Sequence, residues 1–212
     1  MDRRTMDAIA QGGIKHTTKV PQQVNTMICE VCPRYRDIIR MFLTEMEPIF
    51  VGLSDFQRIC LIYQLVTSEV AYDYSLKGSL SYSFLGPFKL GSGVCEGISE
   101  LFFLLANKLT SSTCTVYLVC GVTRRGETLH QWNVVKFSAD ELAGKAFHLD
   151  PTWDLGRKQD PMWFLLSDDA VKRMWSRKNY PVANQTFRGA IYRNESKMSE
   201  LGECLKRARA KF

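Results

Sequence analysis

Gly91-Ser92-Gly93-Val94-Cys95-Glu96-Gly97-Ile98-Ser99-Glu100-Leu101 is the stretch from which the rest of the chain can be read. From Ile98 onward, Leu101, Phe102, Leu105 and Leu109 recur at spacings of three and four, which predicts a helix with one apolar face packed on a sheet. Cys95 falls in its first turn. There the backbone N–H groups lack intrahelical partners and the helix dipole is positive, so an anion, here a thiolate, is favoured. The same N–H groups suit an oxyanion, and the Gly91-Ser92-Gly93 run lets a substrate backbone come close.

Two downstream segments supply partners for such a thiolate. Thr128 to Phe137 is rich in aromatic and β-branched residues and predicts a strand with His130, Trp132 and Val134 on one face. Lys145 to Asp150 predicts the next strand, with Ala146, His148 and Asp150 sharing a face, and Ser138 to Gly144 has the polar turn chemistry of a hairpin. A hairpin centred near Asp140 sets His130 directly opposite Asp150, with Cβ atoms roughly 5 Å apart. A one-residue slip would separate them to opposite faces. A carboxylate beside an imidazole fixes its tautomer and stabilises the imidazolium, and the imidazole moves protons at the thiol.

Each assignment has a competitor. His148 also lies two residues from Asp150, but residues i and i+2 of a strand meet less well than a cross-strand pair, so it reads as a supporting histidine. Asp154 is a second candidate carboxylate, turned from the ladder by Pro151. Trp132 either walls a substrate channel or packs as core. Tyr72, Tyr74, Tyr82 and Ser83 are open between a hydroxyl near the oxyanion and core packing with a satisfied hydroxyl, the second being the stronger expectation. Cys29-Glu30-Val31-Cys32 has the spacing of half a zinc site, yet no second pair or His follows at ligand distance. Cys114 and Cys120 share a strand face and are roughly 20 Å apart, too far for a disulfide.

Gly93-Val94-Cys95-Glu96-Gly97, Leu129-His130-Gln131-Trp132-Asn133-Val134-Val135 and His148-Leu149-Asp150-Pro151-Thr152-Trp153-Asp154, in that order, resemble the core of the transglutaminase-like superfamily, bacterial type. The resemblance extends upstream to Val70-Ala71-Tyr72-Asp73-Tyr74 and Ser83-Phe84-Leu85-Gly86, downstream to Trp163-Phe164-Leu165-Leu166-Ser167-Asp168, and so covers roughly Ser54 to Pro181. It implies a papain-like α+β fold, with Cys95 as nucleophile, His130 as general base and acid, and Asp150 orienting the imidazole. It further implies protein glutamine as acyl donor and an amine or water as acceptor. Two positions depart from the commonest pattern: Gln131 stands where a small residue often separates the His from the Trp, and Tyr82 where a His often precedes Ser83.

The rest of the chain sets limits. At 212 residues and 45% hydrophobic content it can bury one core, without repeats or a long linker. Residues 1–26, with few large apolar side chains, Gly12-Gly13, Pro21 and an uninvolved His16, read as a flexible arm or leader remnant, and 27–212 as a single catalytic domain. Tyr35, Ile38, Ile39, Phe42 and Met46 have helical spacing. Ser54 with Gln57 makes a capping box for a second helix whose buried stripe is Phe56, Ile59, Cys60, Tyr63 and Val66 or Val70. Helices before the nucleophile and strands after it give an α+β order.

A net charge of +6 is moderate and reads as a solvated surface more than a nucleic-acid groove. The basic run Lys206 to Lys211 closes a C-terminal helix, where cations complement the dipole. No stretch approaches the roughly 18 apolar residues of a membrane span, and Met1-Asp2-Arg3-Arg4 is not followed by a signal-peptide apolar region. The sequence as written therefore predicts a cytoplasmic protein, exported if a native leader precedes it. Seven cysteines, an odd number, fit a reduced compartment. No cofactor motif, metal cluster or calcium loop is present. The expectation is thiol-dependent acyl transfer through a thioester, against peptide-bond hydrolysis and a catalytically idle binding module.

Overall fold

The computed structural model describes residues 20–123, 128–157, 161–172, 174–175 and 180–212. Helices α1 (Val20–Glu30), α2 (Pro33–Met46) and α3 (Asp55–Glu69) come first. The short parallel pair β1 (Ala71–Tyr72) and β2 (Ser92–Gly93) leads into α4 (Cys95–Leu109). Strands β3 (Cys114–Thr123), β4 (Leu129–Phe137), β5 (Ala146–Leu149) and β6 (Met174–Trp175) then form one four-stranded antiparallel sheet, ordered β5-β4-β3-β6, and α5 (Glu195–Arg209) closes the fold. The architecture is α+β, as expected. Among the described residues, no helix is long and apolar enough to cross a membrane.

The capping box forms at α3: Gln57 N donates to Ser54 Oγ at 3.3 Å and Ser54 N to Gln57 Oε1 at 3.0 Å, worth about 1 kcal/mol. Its stripe of Phe56, Ile59, Cys60, Tyr63 and Val66 is buried against α4, whose Ile98, Leu101, Phe102, Leu105 and Leu109 are buried in turn. Each such side chain contributes about 1.5–3 kcal/mol. Residues 20–26, expected at the end of a flexible arm, are instead the first turns of α1, with Val24 and Ile28 in the core. Two apolar positions one turn apart are a faint periodic signal, and a boundary at Thr26 cuts between them. The arm before residue 20, His16 included, lies outside the described residues.

The register of the β4–β5 hairpin differs from the expected one. Asn133 pairs with Leu149 and Val134 with His148, so the turn centres on Glu141 rather than Asp140. The cause is local. Asp140 takes a left-handed conformation (φ 63°), a 3-10 turn follows over Asp140–Leu142, and Gly144 at φ 76° brings the chain back. Moving the centre by one residue moves every partner by two, so faces are preserved.

Those faces differ in character. Val116, Val135, Phe137, Phe147 and Leu149 point into the main core. Val119, Trp132, Val134 and Ala146 point the other way, into a smaller cluster with Trp153, Trp163, Leu166 and Tyr180. His130 and His148 belong by register to this second face.

Candidate active site

Three segments converge at the start of α4. Cys95, half-exposed in the first turn, acts on the His130 imidazole and raises it. On its other side, His130 Nε2 lies 2.5 Å from Asp150 Oδ2, which leaves Nδ1 for the sulfur. The three residues expected to work together are thus brought to one place. Asp150 reaches His130 diagonally, because the shifted register places it at the end of β5 rather than opposite.

Asp150 is held at every polar group. Its Oδ1 accepts from Thr152 N at 3.1 Å, its N–H donates to Trp163 O at 2.8 Å, and its carbonyl lies 3.0 Å from the Tyr63 hydroxyl. Tyr63 also bonds Asp154 Oδ2 at 2.7 Å, and Asp154 accepts from the N–H groups of Met162 and Trp163. Asp154 therefore braces the loop behind Asp150. Burial, first, and then the carboxylates push the Tyr63 hydroxyl far up, so it stays protonated.

Burial works against a charge on His130, which is 6% exposed, but the bonds to Asp150 and Cys95 outweigh it and push the imidazole up to about 9. At neutral pH the ring is an imidazolium between a carboxylate and a sulfur. Its flanks are aromatic: Trp153 stacks at 5.0 Å and Trp132 at 5.9 Å between ring centroids.

The distance between α4 and β4 is set by Ser99. Gln131 Nε2 donates to Ser99 Oγ at 2.9 Å, and Asn133 Nδ2 to Ser99 O at 3.1 Å. Gln131 so fastens the strand carrying His130 to the helix carrying Cys95. Behind the helix start, Val94 N donates to Ser81 O at 3.0 Å. A Cβ on Gly97 would stand 2.6 Å from both Ser81 O and Ser83 O, so only glycine lets this segment lie against the first turn. Phe84 N donates to Glu100 Oε2 at 3.0 Å, and burial pushes that carboxyl up to about 7.

Several expectations change here. Trp132 is buried, with its indole N–H donating to His148 Nδ1 at 2.9 Å, so it supports the histidines and offers no channel wall. Ser83 donates its hydroxyl locally to Leu80 O at 3.3 Å instead of toward the thiol. Tyr82 is exposed, and Tyr74, expected as core, is 86% exposed. Burial, first, and then Cys95, Tyr74 and Tyr82 raise the Tyr72 hydroxyl. His148 is a supporting histidine, its Nε2 on Asp168 Oδ1 at 2.9 Å. Sequence reasoning missed Trp153 and Tyr63. The first stood inside a quoted motif, while the second was an ordinary member of an apolar stripe.

The other thiols separate by environment. Burial pushes Cys60 and Cys114 up to about 12. Cys29, Cys32 and Cys120 are exposed. Among the described residues, no group of three His, Cys, Asp or Glu side chains is arranged to hold a metal ion.

No protein-family model and no curated protein matches the chain. Among solved structures it is similar to Legionella pneumophila LapG (EGTA-treated), at 11% identity over 88% of this chain and 96% of that one, with a TM-score of 0.41.

Proposed function

We propose that this chain is a transglutaminase-like thiol enzyme that transfers the acyl group of a protein or peptide amide through a thioester on Cys95. The observation that carries the reading is the bond from His130 to the buried Asp150 at 2.5 Å, with the half-exposed Cys95 acting on the same imidazole at the start of α4. The Cys95 thiolate attacks the amide carbonyl carbon and a C–S bond forms. The backbone N–H groups of the α4 first turn are available to the oxyanion. The His130 imidazolium protonates the leaving nitrogen as the C–N bond breaks, giving the thioester and ammonia or an amine. Neutral His130 then takes a proton from the acceptor, which attacks the carbonyl as the C–S bond breaks, and thiolate and imidazolium are restored. Asp150 keeps the ring oriented throughout.

Glutamine as donor and an amine as acceptor is the reading we favour. One observation favours hydrolysis of peptide bonds as the second: the segment fastened to Gly93 and Val94 just before Cys95 is exposed at Tyr74 and Tyr82, which suits an extended main chain and water. The test is a glutamine-containing peptide library incubated with a primary amine and read by mass spectrometry. Products of unchanged length carrying the amine support transfer, glutamate in place of glutamine supports deamidation, and shortened products support the peptidase. A product pattern identical in the Cys95→Ala variant overturns the enzyme and leaves an idle binding module.

A further inference from the structure

The first half of the segment between β1 and β2, residues 73–82, turns large apolar side chains outward, while Phe84, Leu85 and Phe88 after it are buried. Of the seven exposed large apolar side chains among the described residues, three come from this half, Tyr74 at 86%, Leu76 at 54% and Tyr82 at 44%, and Leu90 at 56% lies further along the same segment.

The presentation is held in place. Asp73 N donates to Gly93 O at 3.0 Å, which ties the start of the segment to the strand two residues before Cys95. The Asp73 carboxylate gathers the turn, accepting from Ser75 N at 2.9 Å, Ser75 Oγ at 2.6 Å and Ser81 Oγ at 2.5 Å. The far end is fastened to α4 by Val94 N on Ser81 O and Phe84 N on Glu100. Tyr72 pairs through its backbone with Gly93, two residues before Cys95, and its ring contacts the Tyr74 ring at 4.9 Å between centroids. Leu76 is held at φ 55°, a left-handed conformation that side-chain-bearing residues avoid.

We propose that Tyr74, Leu76 and Tyr82 form a subsite that seats an aromatic or large aliphatic side chain of a peptide substrate, flanking the carbonyl that Cys95 attacks. The inference rests on the thiol-enzyme reading above and specifies its substrate class. Exposed rings and an isobutyl group gain by covering one another, and a segment anchored at Gly93 and Val94, immediately before the nucleophile, is placed to be covered by a bound substrate. Selectivity then comes from the rings, not from the phenol hydroxyls.

Peptidyl chloromethyl ketones test this independently of leaving group and acceptor. Three labels differ only in the residue beside the ketone-bearing glycine: Phe, Ser or Lys. The rate of Cys95 alkylation by each is followed on the full chain by mass spectrometry, with iodoacetamide as the measure of the thiol alone. The expected result is a Phe label faster than the Ser label by about tenfold. The Tyr74→Ser/Tyr82→Ser variant should erase most of that ratio, and Tyr74→Phe should keep it. Equal Phe and Ser rates, or a Lys label that is fastest through cation–π contact, overturn the subsite while leaving the enzyme reading intact. Failure of every label, together with an ordinary iodoacetamide rate at Cys95, overturns the enzyme reading itself.

Discussion

Two histidines stand on the same face of the same sheet, each bonded through Nε2 to an aspartate, and the proposed function uses only one of them. His130 lies between Asp150 and the Cys95 thiol, both acceptors when ionised, so both ring nitrogens are called on to donate. His148 lies between Asp168 and the Trp132 indole N–H, one acceptor and one donor, which fixes the tautomer with hydrogen on Nε2. The difference between a proton carrier and a bracket is therefore not the carboxylate. It is the sign of the group on the far side of the ring.

The most severe way to break the comparison is to remove that group. Cys95→Ala should lower turnover by at least about a thousandfold while still melting in one cooperative transition, as checked by calorimetry beside the peptide assay. Next comes a matched pair: Asp150→Asn should lower kcat/KM by about 10² to 10⁴, and Asp168→Asn by less than about threefold. Equal losses in the two variants would erase the distinction. His148→Phe should instead reduce stability by about 1–3 kcal/mol in urea melts, because it leaves the buried Trp132 N–H without its acceptor.

The smallest effect is on pH dependence. His130 is raised from an ordinary 6.5 to about 9 in the fold. The stabilisation it brings is fully present below the unfolded value and is lost as pH rises through the folded one. The urea midpoint should fall between roughly pH 6.5 and 9 and should not do so in His130→Gln. In Cys95→Ala the window should narrow, since one of the two groups that raise the imidazole is gone.

Much of this was legible in the sequence for physical reasons. Helix α4 announces itself by its stripe, α3 by its capping box, and the partners of Cys95 by their place on alternating strands. The His130–Asp150 pairing survived a displaced hairpin centre only because strand faces alternate with a period of two. What set the true centre was the left-handed Asp140 and the return at Gly144, neither dictated by a polar seven-residue loop. The tie between Tyr63 and Asp154, 91 positions apart, has no local signature at all. Nor does Trp153, whose place beside His130 depends on the 3-10 turn after Asp150. Trp132 was ambiguous because an aromatic next to a histidine looks the same in sequence whether it meets solvent or a second histidine.

The contact at Gly97 has a consequence for how such a chain can drift over evolutionary time. A methyl group there would collide with two carbonyl oxygens of the 81–83 segment, and carbonyls on a fastened backbone cannot step aside. Any descendant that exchanges this glycine must first rebuild the wall beside its nucleophile. Gly97 should therefore outlast most of the surrounding helix, and a glycine two places after the cysteine is the mark by which chains with the same wall could be traced.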